Sequence, residues 1–422
     1  MKETEYKDLE KIKDVKEYCN YLFKAKSIKK HLKRVGINSS EKLVGYIEDP
    51  NQFLKIPPTN SSFYENDLEN LITTDFSNIS TVLSSSGTTG KKKLIPISEI
   101  DLTFFKESSV KCESRLNTNS EHHSGLIANM GMGLMWYAMM TQKFEMKAKP
   151  YFFGILNPLE YIELIKTLPV NALISLPIFF SRFYEFCTNI NKNEILKKKI
   201  KRIDCGGDFL SDGRKNRIER NWEANTNRFY GISEVWGPIS GECKYHKGLH
   251  ISSNHILFEI LHPLTLRPVN EGEIGILHLT ALWDKAVPLF RYDTQDLVKL
   301  LSDTCPCNEK TKRFKFVSKK DSIIYHNDEY SKFFSLIDIE DIIFNNNNTT
   351  TEYRIILKED ELIIHLENLI QNNSQNSEIE EKILQKLEPF NKKCQIISHK
   401  PRTISRKTQK VKIDSIVREP LK

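Results

Sequence analysis

The chain has 422 residues, 39% hydrophobic and 28% charged, with a net charge of +7; this fits a soluble globular protein and excludes one compact core, so that two or three domains are expected. The charge is too modest to argue by itself for a nucleic-acid partner, and the longest weakly polar run, 125–140, carries Asn129 and three glycines, short of a membrane span. Residues 1–5 lack the apolar core of an export signal, and the eight cysteines then point to reduced thiols and a cytoplasmic location.

Residues 6–35 combine Lys and Glu with apolar residues at helical spacing and read as helix. Asp49-Pro50-Asn51 and Ile56-Pro57-Pro58-Thr59 are turn signals. The runs 79–83 and 94–97 read as strands, and between them lies Ser84-Ser85-Ser86-Gly87-Thr88-Thr89-Gly90-Lys91-Lys92-Lys93. Hydroxyl and amide donors suit phosphate oxygens, glycines admit them closely, and lysines add charge-assisted hydrogen bonds. The spacing is not that of a Walker A loop, because two residues separate Gly87 from Gly90 where four are needed. Taken alone, the run is equally a polar hairpin turn.

Further along, 100–112 reads as a helix, and 153–168 holds Asn157-Pro158 followed by a helix. A short buried strand at 172–177 is followed by helices at 179–187 and 194–199, and by a strand at 200–203 closed by Gly206-Gly207-Asp208. Alternating strands and helices predict an α/β fold with a parallel sheet covered on both faces and ligands at the carboxyl ends of its strands. From 251 to 300 the texture becomes short strands and turns, a β-rich subdomain. Residues 345–348 and 371–376 read as solvated asparagine- and serine-rich loops. Strands at 353–357 and 361–366 and a helix at 378–387 make a small α+β domain, followed by a tail with eight Lys or Arg between Lys400 and Lys422.

Tyr230-Gly231-Ile232-Ser233-Glu234-Val235, with Gly237-Pro238, Glu242-Cys243, Gly248-Leu249-His250-Ile251, the run from Pro288 to Leu297 and Cys305-Pro306-Cys307, resembles the phenylacetate–coenzyme A ligase branch of the adenylate-forming enzymes. With the glycine loop, the likeness spans most of 50–322. It implies a large adenylation domain over 1–317, with mostly parallel sheets and a β-rich subdomain, and a small mobile α+β domain over 318–422 hinged near Asp321. It implies ATP phosphates on Ser85, Ser86, Gly87, Thr88, Thr89, Gly90 and Lys93. Gly206, Gly207 and Asp208 would lie beside adenine and substrate, Tyr230 and Gly231 at the adenine, and Asp296 on the ribose hydroxyls. Glu234 would ligate Mg²⁺, and Lys407 would reach the carboxylate and α-phosphate; Lys410 is the competing lysine. The chemistry is sound independently, since two anions must meet and need Mg²⁺ and a lysine to offset the developing charge.

Cys243, His250, Cys305 and Cys307 form a Cys₃His set suited to a closed structural Zn²⁺ site, as in some relatives, with His246 as an alternative ligand. Met130, Met132, Trp136, Phe209 and Trp236 lie in segments that form the acyl pocket of relatives and favour an aryl or arylacetic acid. Departures from the family pattern fall mostly in the small domain. Lys92 replaces proline, Ser318-Lys319-Lys320-Asp321 replaces Gly-Arg-x-Asp so that Lys319 supplies the charge near the ribose, His326 to Tyr330 lacks a glycine, and Arg406 precedes Lys407. The acceptor is therefore open among coenzyme A, a carrier-protein phosphopantetheine and an amine. Expected partners are a small carboxylic acid and an acyl or aryl carrier protein, with a homodimer left open and neither nucleic acid nor membrane expected. A catalytically altered, nucleotide- or partner-binding descendant is the competing reading. Nucleic-acid binding through the tail ranks last, because the tail has no aromatic residue for base stacking.

Overall fold

The computed structural model describes residues 6–65, 68–84, 93–128, 138–326, 329–347, 349–357, 361–368, 373–390, 393–402, 404 and 416–418. The chain divides into two compact units. One comprises Met1–Glu121, Asn129–Pro150 and Phe229–Phe316, the other His122–Ala128, Tyr151–Arg228 and Val317–Lys422.

The first unit opens with helices Val15–Lys24, Lys26–Lys33 and Ser40–Glu48. The single helix expected over 6–35 is broken at Ala25, whose backbone is extended and whose side chain is fully buried. The break lets Ile28 and Leu32 of the next helix share one apolar core with Leu22, Ile37, Phe53, Leu257 and Phe290. Strands Ile79–Ser84 and Leu94–Ser98 pair antiparallel, as their β-branched composition predicts. Ser98 caps helix Glu99–Ser114 in a reciprocal box with Asp101. Asp101 also accepts from Trp283 Nε1 at 2.7 Å and the Ala286 amide at 3.2 Å, tying the helix to the 282–291 segment. The β-rich texture predicted after 251 is a real antiparallel ladder: Ile256–Leu261 pairs with Ile274–Ala281, which pairs with Tyr292–Leu300.

The second unit carries the parallel sheet. His123–Leu126, Ala172–Ser175 and Arg202–Cys205 run parallel, and Asn225 to Arg228 continue the series. Helices Pro158–Thr167, Pro177–Asn189, Asn193–Lys199 and Asp212–Trp222 connect the strands and pack Ile162, Phe180 and Trp222 against Leu173 and Ile203. A second core in this unit holds Phe344, Ile355, Leu362, Leu366 and Ile383. It lies between helices Leu336–Asn345 and Asn373–Leu387 and strands Thr349–Leu357, Glu361–Asn368 and Lys393–His399. The polar run expected as a loop at 371–376 instead enters this fold, since helix Asn373–Leu387 begins inside it and buries Ile379, Ile383 and Leu387 further along. No helix among the described residues is long and apolar enough to cross a membrane.

Candidate functional site

Strand Asn225–Tyr230 ends at a tight turn in the first unit. A Cβ on Gly231 would stand 1.9 Å from the Gly237 carbonyl oxygen, so only glycine fits where the chain folds back on itself. The turn Ser233–Val235 presents Glu234, and Trp236 follows in the left-handed region with φ 59°. The Trp236 ring packs on Phe105 of helix Glu99–Ser114, with centroids 4.2 Å apart.

Glu234 is 9% exposed, and two donors converge on its Oε1: Lys93 Nζ at 2.8 Å and the Tyr292 hydroxyl at 2.9 Å. Four residues before Glu234, the Tyr230 hydroxyl donates to Asp296 Oδ2 at 2.7 Å, and Asp296 lies four residues after Tyr292. The turn and the strand Tyr292–Leu300 are thus clasped twice, tyrosine to carboxylate in each direction. Burial first, and then the Asp296 charge, pushes the Tyr230 hydroxyl well above its usual range, so it stays a donor. Burial and then Glu234 do the same to Tyr292. Charge-assisted bonds of this kind are short and directional, so both carboxylates are fixed in position. Arg291, fully buried, supports the strand from behind through Glu259 and the carbonyls of Phe53, Leu54 and Ile56.

Tyr230, Gly231, Glu234, Asp296 and Lys93 therefore lie together in the first unit. Gly207, with φ 76°, and Asp208, whose Oδ1 accepts the Phe209 amide at 2.9 Å, lie in the second unit, as does half-buried Lys319. Ser85, Ser86, Gly87, Thr88, Thr89, Gly90 and Lys407 lie outside the described residues, as do Met130, Met132, Trp136 and Lys410. Sequence reasoning gave no role to Tyr292. Its signal was its place in the recognised run, but its partner is 58 residues away.

The second constellation assembles as its spacing suggested. One ligand atom each from Cys243, His250, Cys305 and Cys307 lies within 4.8 Å of the others. Cys243 Sγ and Cys305 Sγ are 3.5 Å apart, as are Cys307 Sγ and His250 Nε2. Three thiols and an imidazole at these separations fit a closed tetrahedral zinc site, whose ligand atoms stand at about 2.0–2.3 Å from the metal. Burial, then the Arg115 charge, pulls His250 down to about 4, leaving a neutral ring with a lone pair to give. His246 turns instead to Glu242 Oε2 at 3.0 Å.

No protein-family model matches the chain. The phenylacetate–coenzyme A ligase of Thermus thermophilus is 26% identical over 239 residues, 54% of this chain and 52% of that protein. The Pseudomonas putida enzyme of the same name is 36% identical over 101 residues, 24% of this chain and 23% of that protein. The chain thus spans about half the length, or less, of these curated relatives. Among solved structures, a 2-hydroxyisobutyryl-CoA ligase in complex with its acyl-AMP superposes with a TM-score of 0.83 at 15% identity, over 99% of this chain and 90% of that one. An anthranilate CoA ligase with anthranoyl-AMP gives a TM-score of 0.59 at 10% identity, over 78% and 66% of the two chains. The chain is similar in sequence to phenylacetate–coenzyme A ligases over about half its length, and it has the fold of the adenylate-forming ligases.

Proposed function

We propose that this protein activates a carboxylic acid with ATP and passes the acyl group to a thiol. In the first half-reaction a carboxylate oxygen bonds to the α-phosphorus, the bond to the bridging oxygen breaks, and pyrophosphate leaves. In the second, the thiol sulfur attacks the acyl carbon of the adenylate, losing its proton, and AMP departs. The observation that carries this reading is the double clasp, because it holds a buried carboxylate, Glu234, and a second one, Asp296, at fixed positions on one unit.

In this reading Glu234 holds Mg²⁺, which neutralises charge on the phosphates. Lys93, at the end of the phosphate loop, is already drawn to that carboxylate. Asp296 has the acceptor oxygens to take ribose hydroxyls, and Tyr230 a ring to pack on adenine. Ser85 to Gly90 cradle the phosphates, Gly207, Asp208 and Lys319 complete the nucleotide and substrate contacts, and Lys407 reaches the reacting carboxylate from a small mobile domain over 318–422. The names of the curated relatives favour an aryl or arylacetic acid. The acceptor thiol belongs to coenzyme A or to carrier-protein phosphopantetheine. Cys243, His250, Cys305 and Cys307 hold one structural Zn²⁺. The eight free thiols suit a reducing compartment such as the cytoplasm.

ATP–pyrophosphate exchange against a panel of aryl, arylacetic and fatty acids, with Mg²⁺ and no acceptor, tests the reading. Exchange with one acid class is expected, and Glu234→Gln should lower it by about 10²–10³-fold, the usual loss when charge stabilisation is removed. A folded, ATP-binding protein that exchanges with none of the acids, or a Glu234→Gln variant at full rate, contradicts it.

A further inference from the structure

His250 has two ring nitrogens, and only Nε2 faces the three sulfurs. Nδ1 lies 3.1 Å from Thr311 Oγ1 and 3.7 Å from Glu309 Oε2. Glu309 is held by both arms of one guanidinium: Arg115 Nε reaches Oε2 at 2.5 Å and Nη2 reaches Oε1 at 2.5 Å. The same Arg115 also donates to Ser252 Oγ at 2.5 Å and to the carbonyls of His250 and Ile251 at 3.5 and 3.3 Å. Its side chain is 7% exposed and leaves the C-terminal end of helix Glu99–Ser114. One buried cation thus grips the backbone of the histidine-bearing strand and the carboxylate behind the imidazole at once.

Charge accounting gives this arrangement a purpose. A divalent cation with three thiolates and a neutral imidazole leaves one net negative charge, and Glu309 adds another beside it. Buried charge of one sign is costly unless paired. Arg115 offsets one of these two charges, and the bidentate fork fixes Glu309 where an Nδ1–H can point at it or at Thr311. A ligating histidine whose far nitrogen is held this way keeps the tautomer that leaves Nε2 free for metal. We propose that Arg115, Glu309 and Thr311 form the outer shell of the Cys243–His250–Cys305–Cys307 centre, orienting His250 and offsetting part of the negative charge of the zinc-loaded cluster. They are positioning residues and touch no ligand atom of the metal. The proposal rests on the zinc reading above. It adds that helix Glu99–Ser114, which carries Phe105 against Trp236, is pinned at its far end by the metal module.

The test uses the full chain and zinc itself, with a chromophoric chelator as competitor and cobalt substitution as a geometric readout. The wild-type chain should hold one zinc per chain and give the absorption of tetrahedral cobalt with thiolate ligands. Arg115→Ala and Glu309→Gln should each lower zinc affinity by about 10–100-fold. Arg115→Lys should recover part of the loss, because it restores charge without the fork. Thr311→Val, nearly isosteric, guards against simple unfolding; it should keep the fold by circular dichroism yet weaken zinc and shift the cobalt bands. Wild-type-like zinc affinity and cobalt spectra in these variants overturn the outer-shell assignment while leaving the zinc site intact. A wild-type chain that binds neither zinc nor cobalt overturns the zinc reading, and this inference with it.

Discussion

Glu234 and Asp296 are each held by a tyrosine that belongs to the other's segment, Tyr292 and Tyr230 respectively. A buried carboxylate needs donors in proportion to its charge, and losing one costs more than an average hydrogen bond gains. Tyr292→Phe removes one of the two donors to Glu234 Oε1 and should lower the free energy of unfolding by about 1–2 kcal/mol, read as a lower urea midpoint at unchanged slope. An unchanged midpoint would show that Lys93 and solvent satisfy Glu234 alone. The residue types here were legible in the sequence because each sits in a short contiguous motif. The clasp was not, because its halves are separated by 58 and 66 residues and nothing local shows that the two spacings of four match. The Arg115–Glu309 pair behind His250 was hidden for the same reason, since the two look like surface charges until the fold brings them together.

Elements show the same limit in another form. Helix Asp212–Trp222 was missed, because its sequence reads as solvated polar surface while Arg214, Lys215 and Arg217 are in fact buried. These side chains serve a polar seam against helix Leu336–Asn345, which was missed too. Arg214 pairs with Glu340 at 2.6 Å, and Arg217 binds the last carbonyls of that helix, including Phe344 at 3.0 Å and Ile343 at 2.9 Å. A Cβ on Gly213 would stand 2.6 Å from the Asp341 carbonyl oxygen, so the helices meet backbone to backbone there. Breaking one partner of a buried ion pair strands the other, so Arg214→Ala should cost about 3–5 kcal/mol, and adding Glu340→Ala should recover part of it in a double-mutant cycle. Additive losses would mean the two side chains do not interact.

Asp341 in this seam titrates in the opposite sense to most carboxylates. Burial, and then its acidic neighbours Asp212 and Glu340, raises it to about 6, although the Gly213 amide donates to it at 2.6 Å. A carboxyl that is raised in the folded state stabilises it below the unfolded value and loses that contribution as pH climbs through the folded one. Asp341→Asn should therefore raise Tm at pH 7–8, by roughly 3 kcal/mol in stability, and the difference should fall to a small fraction of that near pH 4. A gain that persists undiminished at pH 4 would place its cause outside the charge. At the turn that carries Glu234, Gly231→Ala should cost about 1–3 kcal/mol through overpacking and slow exchange by moving the carboxylate. A variant as stable and as active as the parent would show that the turn yields freely.

At the scale of the whole chain, the α/β class, the β-rich stretch after 251 and the α+β fold of the C-terminal part were all readable, because apolar periodicity reports which face of an element is buried. The division into units was not. Residues 122–128 and 151–228 group with 317–422, and no composition break marks those crossings. The chemistry assigned to this architecture makes one demand that no binding experiment can satisfy: an oxygen of the acid must end up on AMP. The measurement is a turnover with ¹⁸O-labelled carboxylic acid, ATP, Mg²⁺ and thiol, followed by mass spectrometry of the nucleotide. The account predicts one ¹⁸O in the phosphate of AMP for each acyl group transferred, with pyrophosphate unlabelled. Unlabelled AMP, or label in inorganic phosphate alongside ADP, would contradict activation through an acyl-adenylate.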